Sequence, residues 1–137
     1  MTQNTTTSAT GIQTRVLTVT QWAFGLYFIL VGTLHFIVPD GLPGPLSWMY
    51  ELSDQLHYVA GGAEILGGLG LILPGLTGIA PRLTAAAATG LVIVMLGAVV
   101  WHAGRGELSQ ITVNTLLAAI SAYVAYSTRN PRTPERT

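Results

Sequence analysis

The sequence predicts an all-α integral membrane protein, a bundle of four helices that cross a lipid bilayer. Half of its 137 residues are apolar and only 9% are charged, against roughly 25% in an ordinary soluble domain. A chain this short needs a large polar surface to fold in water, and six basic and six acidic residues cannot supply one. The mean hydropathy of +0.52 agrees, so the composition excludes a soluble globular domain.

Four apolar stretches predict the four helices. They comprise 17 to 23 residues each, and about 20 residues cross the bilayer core as an α-helix. The predicted spans are residues 16–38, 56–73, 83–101 and 111–127. Before them lies a polar, Thr-rich head, residues 1–15, for which we expect disorder, and after them a basic tail, residues 128–137.

The arginines predict the orientation of the bundle. Four spans place both termini and the second loop on one side of the membrane, and the first and third loops on the other. The first side carries five arginines, whereas the second carries Arg105 alone. Because basic loops stay on the cytoplasmic side, we expect both the N and C termini to be cytoplasmic. The five are Arg15, Arg82, Arg129, Arg132 and Arg136.

The loop between the first two spans is the longest one, with 17 residues, 39–55. Its second half, residues 46–55, is predicted to form a short interfacial helix with Pro45 at the first turn. We expect this helix to cap the outer face of the bundle while three apolar side chains dip toward the lipid: Trp48, Met49 and Leu52.

Small residues at helical spacing predict where the helices pack. Lipid is as apolar as leucine, so helices associate in membranes through close contact and polar bonds. Gly25 and Gly32, seven residues apart, place a groove on one side of the first helix. Similar small pairs occur on the next two helices: Ala63 with Gly67, and Ala86 with Gly90.

Glu64 is the residue that most strongly indicates a functional site. It lies about eight residues from the outer end of its span, which is roughly 12 Å deep at about 1.5 Å per residue. A carboxylate inside the membrane is costly and marks a functional site by default, where it handles a proton or binds a ligand. The alternative is a protonated carboxyl that bonds a neighbouring helix and only locks the structure.

All three histidines are expected on the same side of the membrane as the outer end of that span. His57 lies two turns before Glu64 on the same helix face. His35 is near the end of the first span, and His102 follows the third. Asn114 lies in the first turn of the fourth helix. The candidates for ligand binding or proton handling are therefore Glu64, His35, His57, His102 and Asn114.

These candidates leave three kinds of ligand open. A His–His–carboxylate group could hold Zn²⁺ or Fe²⁺, although no H-x-x-x-H or E-x-x-H spacing supports a metal. Two histidines from different helices could ligate haem. The arrangement favours the third kind, the head group of a quinone or similar amphiphile, because quinone chemistry needs proton donors beside the ring oxygens near the interface. No catalytic residue is assigned.

Two absences in the sequence exclude further classes. The chain has no cysteine, which excludes disulfides, thiolate metal sites and iron–sulfur clusters carried by its own residues. Its net charge is zero, so nothing indicates nucleic-acid binding. The partner that the composition itself predicts is the lipid bilayer.

Two motifs resemble the DoxX-like family of small four-helix bacterial membrane proteins. The first helix ends in Gly-Thr-Leu-His-Phe-Ile-Val-Pro, residues 32–39, which is similar to the Gly-x-x-His-Phe-x-x-Pro signature of that family. The second helix contains a glycine-rich segment with an embedded glutamate, residues 61–74. The third helix, rich in small residues and ending at His102, fits as well. The likeness covers residues 16–126.

The resemblance implies a multi-pass protein of the bacterial plasma membrane with a link to redox chemistry. Some relatives are subunits of a thiosulfate:quinone oxidoreductase, and others associate with thiol and superoxide defence proteins. His35 and Glu64 fall on matching positions of the two motifs. Since this chain has no cysteine, a thiol redox role would need a partner.

Three functional hypotheses follow. The first is a redox-associated subunit that binds a quinone or similar amphiphile at an outer-leaflet His/Glu cluster, alongside a soluble or membrane redox partner. The second is a non-catalytic scaffold or interaction protein in which Glu64 only locks helices. The third is a small proton-coupled carrier that uses Glu64. Four spans without broken helices or inverted repeats disfavour a carrier unless the chain forms a homo-oligomer.

Overall fold

The computed structural model describes residues 3–78 and 82–129, and these residues form helices without any strand. There are four long α-helices and one short 3-10 helix. The α-helices are α1 (Gln3–Ile37), α2 (Asp54–Thr77), α3 (Arg82–Ala103) and α4 (Leu108–Arg129). The 3-10 helix, Gly44–Glu51, lies between α1 and α2, and we call it the cap segment. The all-α prediction is confirmed.

Each α-helix is long and apolar enough to cross a membrane. The candidate spans are Gly11–Ile37, Asp54–Thr77, Arg82–Ala103 and Leu108–Arg129. Every predicted span lies within one of the α-helices, apart from Val38, which follows α1 with a φ of 27°. Apolar side chains cover the outside of the helices, with Leu66 and Val100 exposed by 71% and 72%. Lipid is the medium in which such a surface is stable.

The N-terminal head differs from the expectation. Disorder was expected over residues 1–15, but α1 begins at Gln3, and only residues 1–2 of the head lie outside the described part. No proline interrupts the head, and threonine hydroxyls can bond back to helix carbonyls. At the start of the span, Thr18 Oγ1 donates to the Thr14 carbonyl and Thr20 Oγ1 to the Val16 carbonyl. Of the predicted tail, residues 130–137 lie outside the described residues.

The helices pack in chain order, α1 on α2, α2 on α3 and α3 on α4, with sparse contact between α1 and α4. Glycines bring the backbones of α1 and α2 together. A Cβ on Gly25 would lie 2.9 Å from the Gly68 carbonyl oxygen, and one on Gly32 would lie 2.8 Å from the Gly61 carbonyl oxygen. The groove predicted from Gly25 and Gly32 is therefore the surface on which α2 packs.

The cap segment starts at Gly44 with Pro45 in its first turn, where the missing N–H of proline leaves no helix bond unmade. It ends at Glu51, short of the predicted 46–55 range. The Ser53 hydroxyl then caps α2 by accepting a bond from the Leu56 N–H. The expected lipid contact is wrong for Met49, which is fully buried, and for Trp48, whose ring packs on two histidine rings. The cap segment folds inward over one end of the bundle, the cap end.

The close contact between α1 and α2 gives a first prediction. We expect Gly68→Ala to lower the free energy of unfolding by about 1–3 kcal/mol, because overpacking a tight contact displaces backbone. Its Cβ would lie 2.5 Å from the Gly25 carbonyl oxygen and 2.8 Å from Ile29 Cγ1. The measurement is denaturation of the purified protein in detergent.

The matched control is Gly62→Ala on the same helix. A Cβ there would meet no atom of the described chain within 4 Å. Alanine is the better helix former by roughly 0.5–1 kcal/mol, so this variant should be as stable as the wild type or more so. Equal stabilities of the two variants would show that the α1–α2 contact is looser than the structure has it.

Candidate functional site

Helices α1 and α2 bring three of the predicted site residues together at the cap end. His35 Nδ1 lies 2.9 Å from His57 Nδ1, and His35 Nε2 lies 3.7 Å from Glu64 Oε2. The three residues are buried, with only 4%, 7% and 5% of their surfaces exposed. We call them the His–Glu cluster. The structure thus agrees with the sequence in placing these two histidines near the intramembrane carboxylate.

Glycines position the cluster. A Cβ on Gly32 would lie 3.0 Å from Glu64 Cβ, and one on Gly61 would lie 2.7 Å from His35 Cβ. Each glycine therefore admits a cluster residue of the opposite helix. On α2, His57 and Glu64 lie two turns apart and share a face. The His35 side chain from α1 lies between them and contacts both.

The cap segment holds the other end of the cluster. His57 Nε2 lies 2.9 Å from the Met49 carbonyl oxygen. A carbonyl only accepts hydrogen bonds, so His57 Nε2 donates in this contact. A buried chain of polar contacts thus leads from a backbone carbonyl of the cap segment through His57 and His35 to Glu64.

Glu64 Oε2 ends this chain without a hydrogen bond. It is a buried oxygen that has no hydrogen-bond partner in the described residues, and its 3.7 Å separation from His35 Nε2 exceeds hydrogen-bond length. Native proteins pair nearly all of their buried polar groups, and an unpaired one calls for an explanation such as a ligand. Glu64 therefore has free capacity for one hydrogen bond beside His35.

A cavity of about 320 Å³ opens beside the cluster, between the cap-end parts of α1 and α2 and the cap segment. Its walls include His35, His57, Phe36, Met49, Asp54 and Tyr58. The cavity is thus part polar, with histidine side chains and a carboxylate, and part aromatic. Such a mixture suits a ring that carries polar substituents.

His102 is not part of the cluster, contrary to the expectation of a single outer site. The Trp48 ring lies between, with its centroid 5.8 Å from that of His35 and 5.1 Å from that of His102. His102 Nδ1 instead donates to Glu107 Oε2 at 2.5 Å. His102 lies at the same end of the bundle as His35, with Trp48 beside both, but the sequence does not predict the direction of its side chain.

Asn114 also stays apart from the cluster. Its Nδ2 donates to the Gln110 carbonyl oxygen of its own helix at 2.9 Å.

Within residues 3–78 and 82–129, no group of three His, Cys, Asp or Glu side chains is arranged to hold a metal ion.

Sequence reasoning missed the polar contacts that join the two loops of the cap end. Arg105 Nε donates to Glu107 Oε1 at 2.9 Å, and Arg105 Nη2 donates to Glu51 of the cap segment. The guanidinium also lies 4.6 Å from the centroid of the Trp101 ring, a cation–π arrangement. We call Glu51, His102, Arg105 and Glu107 the loop network. Arg105 and Glu107 are close in sequence, but the sequence does not show that Arg105 also bonds Glu51, 54 residues before it. Nor does it show that Glu107 bonds His102, 5 residues before it.

The charges of the loop network stabilise one another. The hydrogen bond from His102, followed by that from Arg105, holds the pKa of the Glu107 carboxyl below its ordinary value. The hydrogen bonds to Glu107 and Glu51 raise the pKa of the Arg105 guanidinium. Gln110 Nε2 adds a bond to the Pro45 carbonyl oxygen at 2.6 Å. Together these contacts fasten the cap segment to the α3–α4 side of the bundle.

Comparisons with known proteins give one match. A model of the DoxX-like family matches residues 9–124, which include most of α1, all of α2 and α3, and much of α4. No curated protein and no solved structure matches the chain. The matched region contains every residue of the His–Glu cluster and of the loop network.

The loop network predicts an acid sensitivity. Because the pKa of Glu107 is lowered in the folded state, its carboxylate stabilises the fold fully above its unfolded pKa. That contribution is lost as pH falls through the folded pKa. We therefore expect the thermal midpoint of the wild type to fall more steeply than that of Glu107→Gln between about pH 5 and pH 3.

The measurement is thermal unfolding of both proteins in detergent across that range. Asp40→Asn serves as the control, because it removes an exposed carboxylate of the same end of the bundle. This control should keep the steep acid dependence of the wild type. Parallel curves for the wild type and Glu107→Gln would mean that the Glu107 contacts do not stabilise the fold.

Proposed function

This chain belongs to the DoxX-like family, and from that premise we propose that it is a redox-associated membrane subunit. In this proposal it binds the head group of a quinone or a similar amphiphile at the His–Glu cluster. The observation that supports it is the unpaired, buried Oε2 of Glu64 beside a histidine that lines a cavity. A structural lock would be expected to bond its carboxyl to the neighbouring helix.

The size and position of the cavity suit an amphiphile. Its volume of about 320 Å³ is at the lower end of ligand pockets, which run from roughly 300 to 1,000 Å³, and is enough for a substituted ring. It lies at the end of two spans, where a head group would sit while its tail remains in the bilayer. Phe36 and Tyr58 provide aromatic walls with their ring centroids 5.9 Å apart.

Each residue of the His–Glu cluster has its own role in binding. Glu64 holds the proton that a redox-active ring gains or loses, because a carboxyl next to the ring oxygen is a suitable proton donor or acceptor. His35 directs its Nε2 atom toward the same ligand oxygen, and His57 holds the His35 side chain through the contact between their Nδ1 atoms. The cap segment covers this arrangement and limits the access of water.

The proposal includes an orientation and a location. The arginine distribution favours cytoplasmic termini, so the cap end faces outward in the bacterial plasma membrane. Electrons leave or reach the ligand through a redox partner, since the chain has no cysteine and hence no thiol couple of its own. The exposed loop surface at the cap end, with Asp40 and Asp54, is available to such a partner.

The experiment that tests this function is mass spectrometry of the purified protein with lipid extraction. We expect the wild type to carry a quinone or a related amphiphile, and Glu64→Leu to lose most of it. Leucine matches the side-chain size but has no polar atom, and loss of a buried hydrogen-bond group typically costs 1–3 kcal/mol, or roughly 5- to 150-fold in affinity.

The control is Asp40→Asn, which alters an exposed carboxylate of the cap end that does not line the cavity. It should retain the ligand. An empty wild type that binds no added short-chain quinone, with a Glu64→Leu variant changed only in stability, would favour the scaffold hypothesis. Proton-dependent solute uptake into liposomes that requires Glu64 would favour the carrier.

A further inference from the structure

We propose that the His–Glu cluster selects a hydroxyl group over a carbonyl group, so that it binds the reduced, phenolic form of its ligand in preference to the quinone. This inference rests on the proposed function and specifies its ligand. It follows from counting hydrogen-bond donors and acceptors along the cluster.

The cap segment fixes the first hydrogen of the cluster. The Met49 carbonyl can only accept, so His57 Nε2 carries a hydrogen. The contact between the two Nδ1 atoms, at 2.9 Å, then needs one hydrogen between two ring nitrogens. If His57 is neutral, its Nδ1 accepts, His35 Nδ1 donates, and a neutral His35 is left with a bare Nε2 toward Glu64.

The number of protons on the cluster follows from the requirement that a buried group of side chains be neutral overall. With no further proton, an ionised Glu64 would face a bare His35 Nε2, and a buried negative charge would remain uncompensated. With two further protons, the buried cluster would be positive. Uncompensated charges are costly in a buried environment, so the cluster holds one further proton and is neutral as a whole.

This proton has three possible positions. It sits on Glu64, or on His35 Nε2 while Glu64 is ionised. In the third position it makes His57 a cation, so that His57 Nδ1 donates to His35 Nδ1 and the hydrogen of His35 lies on Nε2. In the first case Glu64 donates and His35 Nε2 accepts. In the other two cases His35 Nε2 donates and Glu64 accepts. When the carboxyl hydrogen of the first case is on Oε2, every position presents one donor and one acceptor at the gap between His35 Nε2 and Glu64 Oε2. When that hydrogen is on Oε1, both atoms at the gap are acceptors, and a ligand has to donate there.

A hydroxyl group matches this pair and a carbonyl does not. The hydroxyl oxygen accepts from the donor while its hydrogen is donated to the acceptor. A carbonyl oxygen accepts from the donor and leaves the acceptor buried and unpaired. The gap of 3.7 Å allows one oxygen to lie about 2.8 Å from both atoms, in a triangular arrangement. His35 lies in the wall of the cavity and Glu64 lies behind it, outside that wall, so binding in this way requires the ligand oxygen to enter the gap past the His35 ring.

The test compares matched ligands on the purified full-length protein in detergent. Two redox-inert probes differ only in the donor: 4-octylphenol and its methyl ether, 4-octylanisole. A short-chain benzoquinol and its benzoquinone, measured without oxygen, extend the comparison to redox forms. We expect the phenol and the quinol to bind on the order of tenfold tighter than their counterparts, because the counterparts leave one buried group unpaired.

Two variants separate selection from simple loss of the pocket. Glu64→Gln keeps one fixed donor and one fixed acceptor, so the hydroxyl preference should persist. His57→Phe frees His35 to place its hydrogen on either nitrogen, so the preference should fall toward unity even where binding persists. His57 acts here as a positioning residue, and the ratio of affinities reports this role because a general loss of stability lowers both affinities alike.

The outcomes distinguish the two proposals. If the wild type binds neither form of either pair, the proposed function fails and this inference fails with it. If the wild type binds both forms and Glu64→Leu abolishes the binding, the proposed function stands. In that case, equal or tighter binding of the quinone and of the methyl ether would overturn the hydroxyl preference alone.

Discussion

The close approach of α1 and α2 is the constraint on which the site depends. Between two apolar helices in lipid there is no hydrophobic driving force, so contact has to come from shape and polar bonds. Four glycines supply the shape, because carbonyl and side-chain atoms of the opposite helix occupy the space where a Cβ would stand. They are Gly25, Gly32, Gly61 and Gly68. Two of them admit the cluster residues themselves. The same small side chains that join the helices therefore bring a histidine of one helix beside a carboxyl of the other.

The cap segment completes what the two helices begin. A buried histidine needs a partner for each polar atom, and α2 offers His57 none on its Nε2 side. The Met49 carbonyl provides that partner, and the fully buried Met49 side chain anchors the segment. Through one backbone carbonyl, the loop fixes which ring nitrogen carries hydrogen at His57 and influences His35 and Glu64 beyond it. A connecting loop thereby becomes part of the chemistry of the site.

The sequence predicts well where the helices lie along the chain, but it does not predict which face of each helix is buried. Spans follow from the length of apolar stretches, and Glu64 is visible because a carboxyl is rare in such a stretch. In a soluble protein the polar side of a helix marks its exposed face, but in lipid both faces are apolar. Leu66 is 71% exposed and Leu71 is 2% exposed, with nothing in their type to separate them. For the same reason the sequence could not tell that His102 turns toward Glu107, or that Trp48 lies between His102 and His35.

The bond between Arg105 and Glu51 has a consequence for the order of assembly. It joins positions 54 residues apart, and the chain between them contains α2 and α3. Those helices must already stand side by side before the two loops can meet, because closing a long loop costs entropy until both ends are held close. The contact between Arg105 and Glu51 can therefore form only once α2 and α3 are paired. The cap segment thus gains its bond to the α3–α4 side of the bundle only after that pairing.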